Sequence, residues 1–177
     1  LSPFSGDGLL AVPVTHRGNS AESPEEANAV AALVEHLLTS RLLWQDPFSN
    51  VDSTPLSREH ILIIAPYNAQ VSRLSMHSGL QGIRIGTVDK FQGQEAPVVI
   101  YSLTSSTAED APRGLNFLLN RNRMNVATSR AQGVNILVAS PDLLHSECQT
   151  IDQMSAINSL CRYWEMARLV EPNELSL

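Results

Sequence analysis

Residues 86–95, "GTVDKFQGQE", set a lysine, two glutamines, a glycine and a glutamate between apolar stretches that read as two buried strands. Such side chains donate and accept hydrogen bonds, so the stretch could hold a polar ligand at the strand mouths. Strand-to-strand turns are polar in any case, and the segment alone leaves a structural and a functional answer open. A second cluster bears on the choice. Arg113, Arg121, Arg123 and Arg130 fall within eighteen residues, in a chain with eleven arginines and a single lysine, Lys90. Guanidinium is preferred where phosphate must be gripped in a fixed fork geometry. A solvated, salt-bridged face would account for the same cluster.

Several chemistries are excluded. A P-loop requires G-x-x-x-x-G-K-[ST], and Lys90 is followed by Phe91. No Asp-Glu pair follows an apolar strand, and Glu109–Asp110 lies in a loop in reversed order. The sequence therefore has no usual means of holding Mg-ATP by itself. A net charge of −6 argues against a simple polyanion binder. Cys148 and Cys161 have neither zinc spacing nor a disulfide-rich context, which points to a reduced, cytoplasmic protein with both packing as small hydrophobes. The five histidines are scattered without ligand spacing on one helix, so no metal site is expected. No apolar run is long enough to span a membrane. The opening "LSPFSGDG", with no initiator methionine, reads as a piece of a longer polypeptide.

The 177 residues suit one domain with a full core, and the core must be aliphatic because aromatics are only 5 % against 43 % apolar residues. "GLLAVPVTH" (8–16) reads as an opening strand, with Pro13 marking an edge or an early stop. "SPEEANAVAALVEHLLTS" announces a helix: Ser23 is the N-cap, Pro24 takes the first helical position, and Glu26 completes a capping box. Its apolar stripe is Ala27, Val30, Ala31, Val34, Leu37 and Leu38. Residues 41–60 lack periodicity and read as a long loop or insertion. "ILIIAPYNAQ" begins with a strand buried on both faces, followed by a helix over 68–78. "IRIGTVD" and "VVIYSLT" are strands, 105–114 a polar loop, "RNRMNVATSRA" a helix and "VNILVAS" a further buried strand. A closing helix over about 151–169 opens with a Thr150–Gln153 capping box and gathers Met154, Ile157, Leu160, Cys161 and Trp164 on one face. This order predicts a three-layer α/β domain with a mostly parallel sheet. In such sheets the functional crevice lies beyond the carboxyl ends of the strands, where "APYNAQ" and "TVDKFQGQE" are both expected.

Three segments carry a family resemblance. Residues 61–70, residues 86–95 and the stretch 121–132 with "RMNVATSRAQ" resemble motifs IV, V and VI of superfamily 1 helicases. The branch is the one related to the nonsense-decay and Okazaki-processing helicases. The resemblance implies that residues 1–177 form the second RecA-like domain, lacking the P-loop itself. The first RecA-like domain of the same polypeptide would hold most of the ATP and its Mg2+. Single-stranded DNA or RNA would be the partner. The flanks, "SPEEANAVAALVEHLL" and "MSAINSLCRYWEMA", look like the carboxyl end of bacterial proteins that join a RecB-like nuclease to such a helicase.

Roles follow from the resemblance. Arg130 would be the arginine finger, reaching a γ-phosphate across the domain interface, where such a charge is worth roughly 10³–10⁵ in rate. An ion-paired surface arginine is the alternative. Gly93 would let backbone approach the nucleotide, Glu95 would accept from the ribose hydroxyls, and Gln92 would report the γ-phosphate to the strand behind it. Taken alone, "QGQE" is a turn with its glycine at positive φ. Arg123 either touches phosphate or buttresses its helix. Tyr67, Asn68, Thr87 and Asp89 would flank a single strand, although Tyr67 could instead close the core. Lys90 is a point charge for phosphate or simply solvated. Gln132 stands where many relatives have a second arginine. The competing reading is a non-catalytic nucleic-acid or protein binding module with the same fold.

Overall fold

The computed structural model describes residues 6–46, 52–91 and 93–171, with Arg121 and Asn122 as backbone only. Its apolar runs become strands and its amphipathic segments helices, in this order: β1 (Gly8–Pro13), α1 (Pro24–Thr39), β2 (Leu43–Trp44), β3 (Thr54–Pro55), β4 (Ile61–Ile64), α2 (Asn68–Met76), β5 (Arg84–Gly86), β6 (Ala96–Ser102), α3 (Leu115–Leu118), α4 (Arg121–Ser129), β7 (Ala131–Ala139), α5 (Ile151–Met166) and β8 (Arg168–Leu169). Six strands pair in the order β5-β4-β6-β7-β1-β8, every pairing parallel. Alternate residues of a strand face opposite ways, and that alternation builds two cores. Leu10, Val12, Ile61, Ile63, Ile100 and Val138 pack with α1 and α2. Leu62, Ile64, Val99, Tyr101 and Leu137 pack with α3, α4 and α5 on the other face. All four residues of "ILII" are wholly buried, each stabilising the fold by about 1.5–3 kcal/mol. The three-layer α/β arrangement is the expected one.

Helix α1 begins as predicted, with the Ser23 hydroxyl accepting from the Glu26 amide at 3.1 Å. Glu26 does not complete a capping box. The Ser23 amide that its carboxylate would have received is taken by Gln70 Oε1 at 2.8 Å. The Glu26 carboxylate turns inward instead, accepting from Ser102 Oγ at 2.5 Å and the Thr104 amide at 2.9 Å and meeting His16 Nε2 at 3.0 Å. Thr104 has φ +78, a conformation costly for a β-branched residue, and the Glu26 contact pins it. The Thr150–Gln153 capping box of α5 is present as expected.

Other boundaries differ. β1 stops at Pro13 rather than residue 16. Residues 41–60 are not a plain loop: β2 and β3 pair there as an antiparallel ribbon, and Arg58–His60 form a 3-10 turn. The helix after β4 ends at Met76, two residues early. β5 ends at Gly86, and the chain tightens into a 3-10 turn over Val88–Phe91. A Cβ at Gly86 would lie 2.6 Å from Lys90 Cδ and 2.9 Å from Phe91 Cε2, so the glycine permits this fold-back. On α5, Ile157 and Leu160 are core, Met154 is exposed, and Tyr163 is the buried aromatic. Among the described residues no helix is long and apolar enough to cross a membrane.

Candidate functional site

β6 and β7 start side by side, with the Ala96 amide donating to the Arg130 carbonyl at 3.0 Å and Ala96 paired with Ala131. Glu95 and Arg130 therefore lie at the amino edge of the sheet. Tyr67 and Asn68 follow β4, and Thr87 and Asp89 follow β5, at the carboxyl edge. The candidate residues expected in a single crevice beyond the carboxyl ends therefore fall into two groups at opposite edges of the sheet. The reason is topological. β5 and β6 both run parallel to β4, which lies between them, so the chain leaving β5 must return to the amino edge before β6 begins, and the segment joining Gly86 to Ala96 makes that crossing. α4 makes the same traverse before β7. Arg123 and Arg130, seven positions apart, are separated by about 10 Å along that direction.

At the amino edge, Gly93 has φ +80 as the turn reading predicted, and a Cβ there would meet nothing within 4 Å. Its surroundings are open. Glu95 is exposed and accepts from Gln132 Nε2 at 3.3 Å. Arg130 lies just past the end of α4 rather than on it. It is half-buried, its Nε has no hydrogen-bond partner, and no carboxylate is within ion-pair distance among the described residues. Gln92 lies outside the described residues. Two residues that sequence reasoning missed brace this end. Asn135, buried in β7, donates to the Ala127 carbonyl of α4 at 3.1 Å, and its Oδ1 accepts from the Tyr163 hydroxyl of α5 at 2.7 Å. The available signal was a lone asparagine inside the apolar run "VNILVAS".

At the carboxyl edge, Arg123 Nη2 meets Asp89 Oδ2 at 3.4 Å. The Arg123 and Arg113 guanidinium carbons lie 4.1 Å and 3.8 Å from the Phe117 ring centroid. Tyr67 stacks on Phe117 at 5.6 Å with 29° between the planes. Tyr67 is 7 % exposed, and its hydroxyl has no hydrogen-bond partner of good geometry; that of nearby Ser105 donates to the Ser20 carbonyl. Burial pushes the Tyr67 phenol above its ordinary value, offset in part by Ser105 and by the Arg113 and Arg123 charges. Tyr101, also buried and without a partner at its hydroxyl, is pushed up by burial too. Asn68 is exposed at the start of α2, and Thr87 is half-buried. Lys90 is tied down, donating to the Ile85 carbonyl at 3.1 Å with its ammonium 5.6 Å from the Phe91 ring centroid. The structure thus places Arg123 with the strand-flanking set and Arg130 with Gly93 and Glu95. Among the described residues no three His, Cys, Asp or Glu side chains gather to hold a metal, and both cysteines are free.

An all-parallel six-stranded sheet between two helical layers defines a RecA-like α/β domain. Residues 12–142 match the protein family described as an AAA domain, and the chain belongs to that family. It is similar to the helicase mov-10-B.1 of Danio rerio, 36 % identical over 106 residues that cover 52 % of this chain and 10 % of the relative. An ATP-dependent helicase of Caenorhabditis elegans is 33 % identical over 128 residues, 72 % of this chain and 7 % of the relative. The DNA replication ATP-dependent helicase/nuclease JHS1 of Arabidopsis thaliana is 30 % identical over 122 residues, 69 % of this chain and 8 % of the relative. The chain therefore spans a small part of each. All three are eukaryotic, so the bacterial likeness of the flanks has no counterpart among them.

Proposed function

We propose that this chain is the second RecA-like domain of an ATP-dependent helicase or translocase that acts on single-stranded DNA or RNA. The observation that carries the reading is Arg130: a guanidinium without an ion pair among the described residues, at the same sheet edge as Gly93 and Glu95. A surface arginine kept for an ion pair would have a carboxylate beside it. One kept for a phosphate in a facing domain would not.

The residues fit the closing half of a nucleotide site and not the whole of one. Gly93 leaves open space for a ligand, Glu95 offers an exposed carboxylate to ribose hydroxyls, and Arg130 is the finger. ATP with its Mg2+ would be held mainly by a first RecA-like domain of the same polypeptide, with Gln92 completing this side. When bound, ATP supplies the free energy that closes and reopens the two domains. This chain contributes positive charge where the transferred phosphoryl group gains negative charge in the transition state. Asn68, Thr87 and Asp89 would border the single strand at the opposite edge, with Tyr67 beneath them. A nuclease domain in the same polypeptide is a further proposal, supported by the helicase/nuclease name of the plant relative.

The test is steady-state ATPase of the intact helicase carrying Arg130→Ala. Turnover should fall by about 10³ or more while the protein stays folded. Near-normal turnover would leave the binding-module reading in its place.

A further inference from the structure

We infer that Arg113 and Arg123, both held against Phe117, form a two-guanidinium grip for the phosphodiester backbone of a single strand. The inference rests on the reading above that the carboxyl edge is the strand track. Arg113 and Phe117 stand outside all three motifs, in the segment between β6 and α4. The ring of Phe117 lies within 3.8 Å of one guanidinium carbon and 4.1 Å of the other, so the two cations are no more than about 8 Å apart. Stacking restricts both long side chains before any ligand arrives, which reduces the ordering cost of binding.

Charge points the same way. No carboxylate pairs with Arg113 among the described residues, and Arg123 shares its charge with one exposed partner, Asp89. The cluster is thus a local cationic spot on a chain of net charge −6. Two like charges this close repel, and an anion with several acceptor oxygens relieves that repulsion through forked hydrogen bonds. Beside them, Tyr67 stacks on the same ring and fixes its plane from below. The ring is occupied by guanidinium, so it is a platform for cations rather than for a base, and base preference should be slight. The nucleotide is a poor occupant, because Arg130 and Glu95 are at the opposite sheet edge.

The test measures binding of labelled oligothymidylate and oligouridylate to the intact helicase by fluorescence anisotropy over a range of salt. Arg113→Gln should weaken both oligonucleotides severalfold at low salt and flatten the dependence of log K on log salt by about one unit. Phe117→Leu keeps apolar volume but removes the platform and should do the same. Arg162→Gln, on the exposed far side of α5, should change neither quantity. The KM for ATP should hold in all three. If Arg113→Gln and Phe117→Leu keep wild-type affinity and slope, the grip does not exist. A raised KM for ATP with unchanged oligonucleotide binding would place the pair on the nucleotide and overturn the inference. A wild-type protein that binds no single strand would overturn the strand-track reading as well, so the two failures are distinguishable.

Discussion

Asp89 and Arg123 meet at 3.4 Å across the carboxyl edge of the sheet, thirty-four positions apart in the chain. The contact ties the turn after β5 to the start of α4. Asp89 is 76 % exposed, so the pair adds at most about 1 kcal/mol to stability. Its larger effect is to hold a carboxylate beside the proposed phosphate track. Asp89→Asn should barely move the melting temperature and should tighten oligonucleotide binding at low salt, an effect that fades as salt screens the charge. Weaker binding would mean that the carboxylate itself organises the strand site.

Glu26 is the hub of a fully buried polar network joining α1, the segment after β1 and the end of β6. Glu26→Ala would strand Ser102, His16 and the Thr104 amide without an acceptor and release the backbone at Thr104. A loss of about 3–5 kcal/mol is expected, read as a lower midpoint in urea. A loss below about 1 kcal/mol would show that water or a rearranged loop replaces the carboxylate.

Asn135 sets the end of α4 against β7 and α5. Asn135→Leu should leave the Ala127 carbonyl unpaired, at about 1–3 kcal/mol, while the Tyr163 hydroxyl keeps the backbone carbonyls of Leu10 and residue 135 as acceptors. Because Arg130 follows directly on that helix end, kcat for ATP should fall in the intact protein while oligonucleotide affinity holds. Lost stability with an unchanged kcat would show that Arg130 is positioned by something else.

The buried phenols give the fold an alkaline limit. Burial pushes Tyr101 and Tyr163 far above the ordinary value of about 10. Above pH 10 the unfolded chain releases these protons and the folded one keeps them, so the unfolded state binds fewer and stability falls as pH rises. The slope should be roughly 1.4 kcal/mol per pH unit for each phenol. Tyrosinate absorbance from these two residues should therefore appear together with loss of helical circular dichroism. A reversible titration near pH 10 in a protein that keeps its helices would contradict their burial.

Short-range signals made much of this legible in the sequence. "ILII" and "NILVA" marked buried strands, Ser23 and Thr150 marked helix starts, and Gly93 marked a turn at positive φ. Illegible features depended on partners distant in the chain. A serine followed three residues later by glutamate has the same pattern whether the carboxylate caps the helix or turns inward. Gln70, forty-seven positions from Ser23, decided that case by taking the amide. The motifs brought Arg123 and Arg130 together in one proposed site, but a helix running antiparallel to the strands carries them to opposite sheet edges. Phe117 and Arg113 belong to no pattern, and only the packed structure shows them against Tyr67 and Arg123.

On the proposed function, Arg130 acts on the transition state of phosphoryl transfer in a facing domain. The most direct measurement compares wild type and Arg130→Ala in the intact polypeptide for binding of a non-hydrolysable ATP analogue and of ADP with aluminium fluoride, a mimic of the transferring phosphoryl group. The alanine variant should lose about 10³-fold in affinity for the mimic, with at most about a tenfold loss for the ground-state analogue. Arg130→Lys should recover little of it, since an ammonium does not reproduce the planar fork. Equal affinity of variant and wild type for the mimic would contradict a transition-state role for Arg130.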